Sequence, residues 1–249
     1  MDTKSRLLKE FYRGLPKDRA KVETYEHGFE YLERMLAGGA ALEYGEMAAA
    51  GLLHKYKFSN MPEEQMDEFM NAHIAKACNL CLYFGQVENS LFCFNLDNNH
   101  KTNNMVAIPE MTLVVELLRE ILTGAGCEAL VIASGRGYHL WCRLEAAVEN
   151  ERLYQFMVHS MAKALLGLHK QGFDHNKIKA NFYPDPRARD VVSLRLFGSL
   201  HVKNKVFSQV LTREGLQGEE ESWGAFEKYL GGKTISVEGF EKAVELVGR

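Results

Sequence analysis

Two polar side chains at the end of an apolar segment have the chemistry of metal ligands. The segment Leu91–Leu96 is apolar except for Asn95, and Asp97 lies two positions after Asn95. Residues two apart in a strand point to the same side, so Asn95 and Asp97 are predicted to project together. Side-chain oxygens are the ligands that Mg²⁺ and Mn²⁺ prefer. The alternative is an ordinary strand end followed by a polar turn.

A glycine turn with a cation forms the second group. Ser134, Gly135, Arg136 and Gly137 follow a short apolar stretch, and His139 comes two residues later. Glycine lets backbone N–H groups face an anion, and a guanidinium offers a fork of donors to phosphate oxygens. The turn therefore suits phosphate binding. The alternative is a β-turn followed by a structural histidine.

The third group mixes carboxylates with hydrogen-bond donors over residues 185–203. Its acids suit a metal site and its donors suit a triphosphate, whereas the alternative is an edge strand with a salt-bridged loop. Residues 177–205 also hold seven Lys or Arg and two acids, which favours either a nucleic-acid contact or a solvated surface. The members of the third group are Asp185, Asp190, Arg195, Ser199, His201 and Lys203.

The elements that must position these groups change in period near residue 80. Apolar residues recur at helical spacing before it, which predicts a helical portion over residues 1–79. A core with strands is predicted over residues 80–249, and the absence of a linker favours one continuous domain. Within that core, helices are predicted at 110–122, 151–168, 222–230 and 237–247, and strands at 91–97, 129–133, 138–144, 178–183, 191–196 and 205–211.

Composition is that of a folded protein in a reducing compartment. The chain has 249 residues, 46% hydrophobic and 25% charged, with a net charge of −3. No signal peptide and no apolar run of about 20 residues is evident, so a cytoplasmic protein without membrane contact is predicted. Five cysteines fit this location.

A zinc site is not favoured at the Cys78-x-x-Cys81 pair. A closed zinc site takes four ligands, and no second pair follows, although His73 lies nearby. The apolar neighbours of the two cysteines indicate buried thiols at helical spacing.

Taken in order, the three groups resemble the motifs of the archaeo-eukaryotic primase superfamily over about residues 80–211. That family's first motif is a strand ending Asp-x-Asp or Asp-x-Glu, its second is often Ser-Gly-Arg-Gly-x-His, and its third is a hydrophobic residue and an Asp. A segment Arg-Leu-Pro-Gly-Ser-Leu-His often follows, and Arg195–His201 matches it with Phe197 in place of Pro. The resemblance implies an α+β fold with a central mixed or antiparallel, RRM-like sheet flanked by helices.

The resemblance also implies roles for individual residues. Asp97 is the second carboxylate of the first motif, and Asn95 stands where the first is expected. Asp185 or Asp190 is the third metal carboxylate, and spacing favours Asp185. The nucleotide phosphates are expected to contact Ser134, Arg136, His139, Arg195, Ser199 and His201, together with Lys203.

The activity implied is nucleotidyl transfer by two Mg²⁺ or Mn²⁺ ions. An NTP or dNTP would be added to a 3′-hydroxyl on a single-stranded DNA template, with any helicase or further replication protein as a separate chain. Asn95 removes one negative charge from the metal site. The sequence therefore leaves two hypotheses: an enzyme with weakened metal affinity, or a protein of this fold that binds nucleotide or single-stranded nucleic acid without catalysis.

Overall fold

The chain forms two compact units, each assembled from two stretches of sequence. The structure is a computed structural model that describes residues 3–24, 37, 41–47, 54–98, 108–188, 193–201 and 205–248. The first unit is Met1–Gly85 with Asp190–Ser208, and the second is Gln86–Arg189 with Gln209–Arg249. Neither unit coincides with the predicted division at residues 79 and 80. Residues 25–36 of the predicted helical portion lie outside the described residues.

The described part of the first unit has two helices and one antiparallel sheet. The strands are hydrogen-bonded in the order β2-β3-β1-β4-β9. The elements in chain order are α1 Thr3–Phe11, β1 Ala20–Thr24, β2 Ala41–Met47, β3 His54–Ser59, α2 Glu63–Ile74, β4 Cys78–Tyr83 and β9 Ser193–Arg195.

Alternation along these strands separates an apolar face from a polar one. Val22 lies opposite Tyr56 and Leu80, and it is fully buried with Phe58. The residues between them point the other way, and Lys21 is the neighbour of both Lys57 and Cys81. One face of this sheet is therefore hydrophobic and the other carries cations.

The prediction that residues 1–79 are helical is wrong for three segments. Residues 20–24, 41–47 and 54–59 are strands. Lys55, Lys57 and Ser59 alternate with Tyr56 and Phe58, a period of two that marks a half-buried strand. These strands are short. Each forms by pairing with another segment of the chain, and the local sequence pattern does not show that pairing.

The second unit has a larger sheet and the longer helices. Its strands run antiparallel in the order β11-β10-β6-β7-β5-β8. Its elements are β5 Glu88–Asn98, α3 Pro109–Gly124, β6 Leu130–Ala133, β7 Gly137–Glu149, α4 Asn150–Lys170, β8 Ile178–Tyr183, β10 Gln209–Thr212, β11 Gly215–Leu216, α5 Glu219–Leu230 and α6 Val237–Gly248.

Helices cover one face of this second sheet. Phe92, Phe94 and Leu96 of β5 are fully buried in one cluster with residues of α3, α4 and α6. Phe92 meets Phe156 edge to face and Phe240 at a tilted angle, which joins α4 and α6 to the sheet. Phe92, Phe94 and Leu96 thus face the helical core, and the alternate residues of β5 face away from it.

The α+β fold predicted from sequence is confirmed, with two antiparallel sheets in the described residues instead of one central sheet. The four helices predicted in the core are present as α3, α4, α5 and α6. None of the helices in the described ranges has both the length and the hydropathy required to cross a bilayer.

Candidate functional site

A polar patch lies on the face of the second sheet that points away from its helical core. Asn95 of β5 is the direct partner of His139 in β7 and of Asn181 in β8. Asp97, two positions along, is the partner of Gly137 on one side and Lys179 on the other. Directly opposed residues of an antiparallel pair share a face. Three strands thus bring these side chains together, and we call this group, with Arg136, the polar patch.

The turn before β7 places Arg136 beside the patch. Ser134 donates its N–H to the carbonyl of Gly137 at 2.9 Å, and Gly135 takes a φ of 100°, a conformation that glycine adopts without strain. This tight turn leaves an Arg136 Nη 3.9 Å from a carboxylate oxygen of Asp97. The turn and the Asp97 carboxylate therefore lie together within one unit.

Burial divides the polar patch into an inner and an outer part. Asn95 and His139 are buried, at 8% and 6% exposure, whereas Lys179 is exposed. Among the described residues, no donor lies within hydrogen-bond distance of Asn95 Oδ1. A buried amide oxygen without a donor costs free energy unless a ligand or water satisfies it. Asn95 therefore marks a position where a bound molecule would be stabilised.

The outer part of the polar patch has more positive than negative charge. Asp97 is its one carboxylate among the described residues, and the cations Arg136 and Lys179 lie on either side of it. The side chains of Arg136 and Asp97 are 49% and 24% exposed, so their ion pair is partly solvated and contributes about 1 kcal/mol or less. A phosphate oxygen can therefore replace the Asp97 carboxylate as the partner of Arg136 at a small cost in free energy.

Lys179 and Asn181 were not predicted as part of the site. Their signal is the alternation of Lys179, Asn181 and Tyr183 with apolar residues in β8. That period shows which side chains share a face, but it does not show that β8 lies next to β5. The pairing joins residues more than 80 positions apart in sequence, and only the fold reveals it.

Asp185 has different partners from those predicted. Its carboxylate accepts from the Arg187 backbone N–H at 2.9 Å and pairs with the Arg187 guanidinium. Arg187 lies 4.2 Å from the ring centroid of Tyr154 on α4. Asp185 also follows β8 at Tyr183, the partner of Cys93, which is about 13 Å along the strand from the level of Asp97. The structure does not bring Asp185 into the polar patch.

The basic stretch at residues 177–205 is divided between several surroundings. Lys177 pairs with Glu110 at the start of α3, and this hydrogen bond lowers the pKa of the Glu110 carboxyl. Arg187 is engaged with Asp185, and Lys179 lies in the polar patch. Arg195 and Lys205 belong to the first unit. The cations concentrated in this stretch of sequence therefore belong to both units and have different partners.

Arg195, Ser199 and His201 all lie in the first unit. Arg195 is the strand partner of Cys81, which is in turn the partner of Lys21, so cations line one row of that sheet. Arg195 Nη1 is buried, and no hydrogen-bond acceptor for it is found among the described residues. Lys21 in this row is paired with Glu23 at 3.2 Å, so Arg195 Nη1 is the group there that an anion would satisfy. Asp190 and Lys203 lie outside the described residues.

Side chains from distant elements fix the turn that follows Arg195. The N–H of Phe197 donates to the Tyr12 hydroxyl at 3.0 Å, and the N–H of Gly198 donates to Ser208 Oγ at 2.9 Å. Asn79 bonds both backbone groups of Leu200, at 3.0 and 2.7 Å. The segment Arg195–His201, which resembles the primase segment Arg-Leu-Pro-Gly-Ser-Leu-His, is thus a rigid part of the first unit.

A buried neutral histidine completes this turn. His73 Nδ1 accepts the N–H of Leu80 at 3.2 Å, which assigns the proton to Nε2, and Nε2 then donates to the carbonyl of Phe197 at 2.8 Å. Burial lowers the pKa of the His73 ring. Both ring nitrogens are used by backbone groups, so His73 is structural.

The free energy of unfolding is expected to fall as pH drops below about 6.5, the ordinary pKa of histidine. Because the folded pKa of His73 is lowered, the unfolded state binds more protons between the two pKa values. The slope approaches about 1.4 kcal/mol per pH unit there. Urea unfolding across this range measures it, and His73→Gln, which does not titrate, is the comparison. Equal pH slopes for both proteins would contradict the assignment.

The residues of the polar patch do not fit a pair of divalent metal ions. Within the described ranges, no three His, Cys, Asp or Glu side chains form a group that could hold a metal ion. The patch offers one carboxylate, and Arg136 and Lys179 repel a cation. The segment 99–107 after β5 contains no Asp or Glu. Mg²⁺ and Mn²⁺ depend on the negative charge of carboxylate ligands, and the patch supplies too few carboxylates for two such ions.

The two cysteines of the Cys78-x-x-Cys81 pair face opposite sides of the first sheet. They lie on a strand and not at helical spacing: Cys78 shares a face with Leu80, whereas Cys81 shares one with Lys21. Burial raises the pKa of each thiol to about 12. Zinc binds the thiolate form of cysteine, which a raised pKa disfavours. Because the two side chains also point to opposite faces of the sheet, the pair does not suit a shared zinc ion.

Comparisons with known proteins give a likeness of fold. No protein-family model matches the sequence, and no curated protein matches it significantly. Among solved structures, the chain is similar to the polymerase domain of Ligase D from Mycobacterium tuberculosis, determined in complex with DNA. The TM-score is 0.45 and the identity 11%, over 99% of this chain and 88% of that one.

Proposed function

We propose that this protein binds a nucleoside triphosphate, with single-stranded DNA as a further partner, and that the polar patch holds the phosphates. The observation that carries the proposal is the strand register, which places His139, Asp97 and Lys179 on one sheet face with Arg136 at its edge. Hydrogen bonds from charged donors such as Arg136 and Lys179 to phosphate oxygens are about twice as strong as those between neutral groups. The resemblance to primases supports a nucleotide as the ligand.

The arrangement can orient a polyphosphate without any rearrangement of the sheet. Arg136 presents a planar fork at the outer edge, and Lys179 adds a point charge on the adjacent strand. Asn95 and Asn181 are opposed on the inner part, where amide groups discriminate hydrogen-bonding partners. Rigid strands hold all of these positions, which limits the entropy lost on binding.

Binding of fluorescent ATP and dATP analogues, followed by anisotropy, tests the proposal. Arg136→Ala is expected to weaken binding by about tenfold, because a charge-assisted hydrogen bond contributes about 1.5–3 kcal/mol. Arg213→Ala is the matched control, since Arg213 is exposed in the turn after β10, at the end away from the Ser134 turn. Equal affinity of wild type and Arg136→Ala would refute the placement of the phosphates.

A second candidate is metal-dependent nucleotidyl transfer at the same face. Its support is the Asp97 carboxylate and the buried Asn95 oxygen two residues away, which would offer an ion two oxygen ligands but only one negative charge. Extension of a primed single-stranded template with Mg²⁺ or Mn²⁺ and all nucleotides tests it. Extension that is lost in Asp97→Asn would support transfer, and no extension with either ion would reject it.

A further inference from the structure

We infer that the polar patch binds the phosphates of its nucleotide without a divalent metal, with Lys179 supplying positive charge that a metal would otherwise supply. The inference rests on the proposed function, and it concerns how that site neutralises phosphate. The primase resemblance implies two-metal chemistry, but the patch does not supply the carboxylates that two metal ions require. The residues that carry it are Asn95, Asn181 and Lys179.

Amides stand at the places on this face where carboxylates would hold a metal. Asn95 occupies one such place, and its direct partner across the strand pair is Asn181. Asn181 follows Ala180 in β8, which makes a hydrophobic residue and an amide where the third motif has a hydrophobic residue and an Asp. Two neutral amides remove two negative charges from adjacent strands. A metal ion placed there would face one carboxylate.

A cation stands on the strand next to that remaining carboxylate. Lys179 is the direct strand partner of Asp97, and it makes no ion pair with any residue that the structure describes. Arg136 approaches Asp97 from the other side at 3.9 Å. Two cations against one carboxylate leave the outer patch with a net positive charge. Such a surface attracts an anion and repels a divalent cation.

The sign of this charge predicts which form of the nucleotide binds better. Mg²⁺ cancels two of the charges on a nucleoside triphosphate, so the magnesium complex is less attracted to a positive site than the free anion. A site built from carboxylates shows the reverse order, because it binds through the metal. Metal dependence of affinity therefore separates the two kinds of site.

The experiment measures the affinity of the full chain for ATP and dATP in EDTA and in excess Mg²⁺ or Mn²⁺. We expect affinity in EDTA to equal or exceed that with metal. Lys179→Ala should weaken binding in EDTA by about tenfold, the loss of one charge-assisted bond, whereas Lys179→Arg should retain most of it. Lys170→Ala is the matched control, since Lys170 is exposed at the end of α4.

Each outcome decides between the two proposals. Binding that appears only with Mg²⁺ or Mn²⁺ would overturn the metal-free inference while leaving nucleotide binding intact. Binding in EDTA that Lys179→Ala does not weaken would overturn the role of Lys179. No binding of either nucleotide in any condition, by a protein whose circular dichroism and thermal unfolding show it to be folded, would overturn the proposed function itself.

Discussion

Gly137→Ala is expected to destabilise the second unit by about 3 kcal/mol, the upper part of the range for overpacking a folded interior. A Cβ at this position would lie 1.8 Å from the carbonyl oxygen of Leu96 and 2.8 Å from its carbonyl carbon. Both atoms are backbone, so no side chain can move to relieve the overlap. The adjacent strands β5 and β7 would have to separate at the level of Asp97.

The consequence reaches the polar patch as well as the core. Gly137 is the strand partner of Asp97 and closes the turn that positions Arg136. Separation of the strands would shift the guanidinium relative to the carboxylate, so weaker nucleotide binding should accompany the lower stability. A loss of about 3 kcal/mol lowers the melting temperature of a protein this size by roughly 10 °C.

Thermal unfolding followed by circular dichroism measures this effect, and Gly124→Ala is its control. Gly124 ends α3, and a Cβ there would meet no atom within 4 Å, so its substitution should leave the melting temperature nearly unchanged. If Gly137→Ala has the same melting temperature as the wild type, β7 does not approach β5 as closely as described. The geometry of the polar patch would then be wrong as well.

Local pattern was sufficient to predict the helices of the second unit. In α4, for example, Leu153, Phe156, Met157 and Met161 recur at helical spacing, and all four are buried. The same reasoning separated Asn95 and Asp97 from the apolar residues of β5, since a strand alternates its faces. Periodicity reports the side on which a residue lies, and here that side was correct.

Sheet neighbours were beyond the reach of local pattern. Lys179 shares a face with Asp97 because β8 pairs with β5 across a long intervening segment, and pairings of that kind depend on the packing of the whole unit. Asp185 lies close in sequence to the same strand, yet its carboxylate pairs with Arg187. Spacing relative to Arg195 therefore favoured an acid that the fold directs elsewhere.

Introducing carboxylates into the patch should create a response to Mn²⁺ that we do not expect of the natural sequence. The double variant Asn95→Asp with Asn181→Asp would place carboxylates at three positions on two adjacent strands, with Asp97 as the third. Without metal, the opposed pair should destabilise the protein by about 1 kcal/mol, because like charges repel directly across a strand pair. Burial at position 95, where exposure is 8%, adds a desolvation cost.

Mn²⁺ should reverse that loss in the variant alone. An ion that binds only the folded state stabilises it by about 2.7 kcal/mol when its concentration is 100-fold above the dissociation constant. We therefore expect the melting temperature of the double variant to rise with Mn²⁺ concentration, while that of the wild type stays constant. Asn71→Asp, the same substitution at an exposed position on α2, controls for added charge.

The comparison between the two proteins tests the charge of the patch directly. A wild type stabilised by Mn²⁺ as strongly as the variant would mean that Asp97 and the amides already hold the ion, contrary to the effect assigned to Lys179. A variant with no response would mean that positions 95, 97 and 181 do not converge on one ion. A response confined to the variant would show that the amides at positions 95 and 181 are what keeps a divalent ion from binding this face.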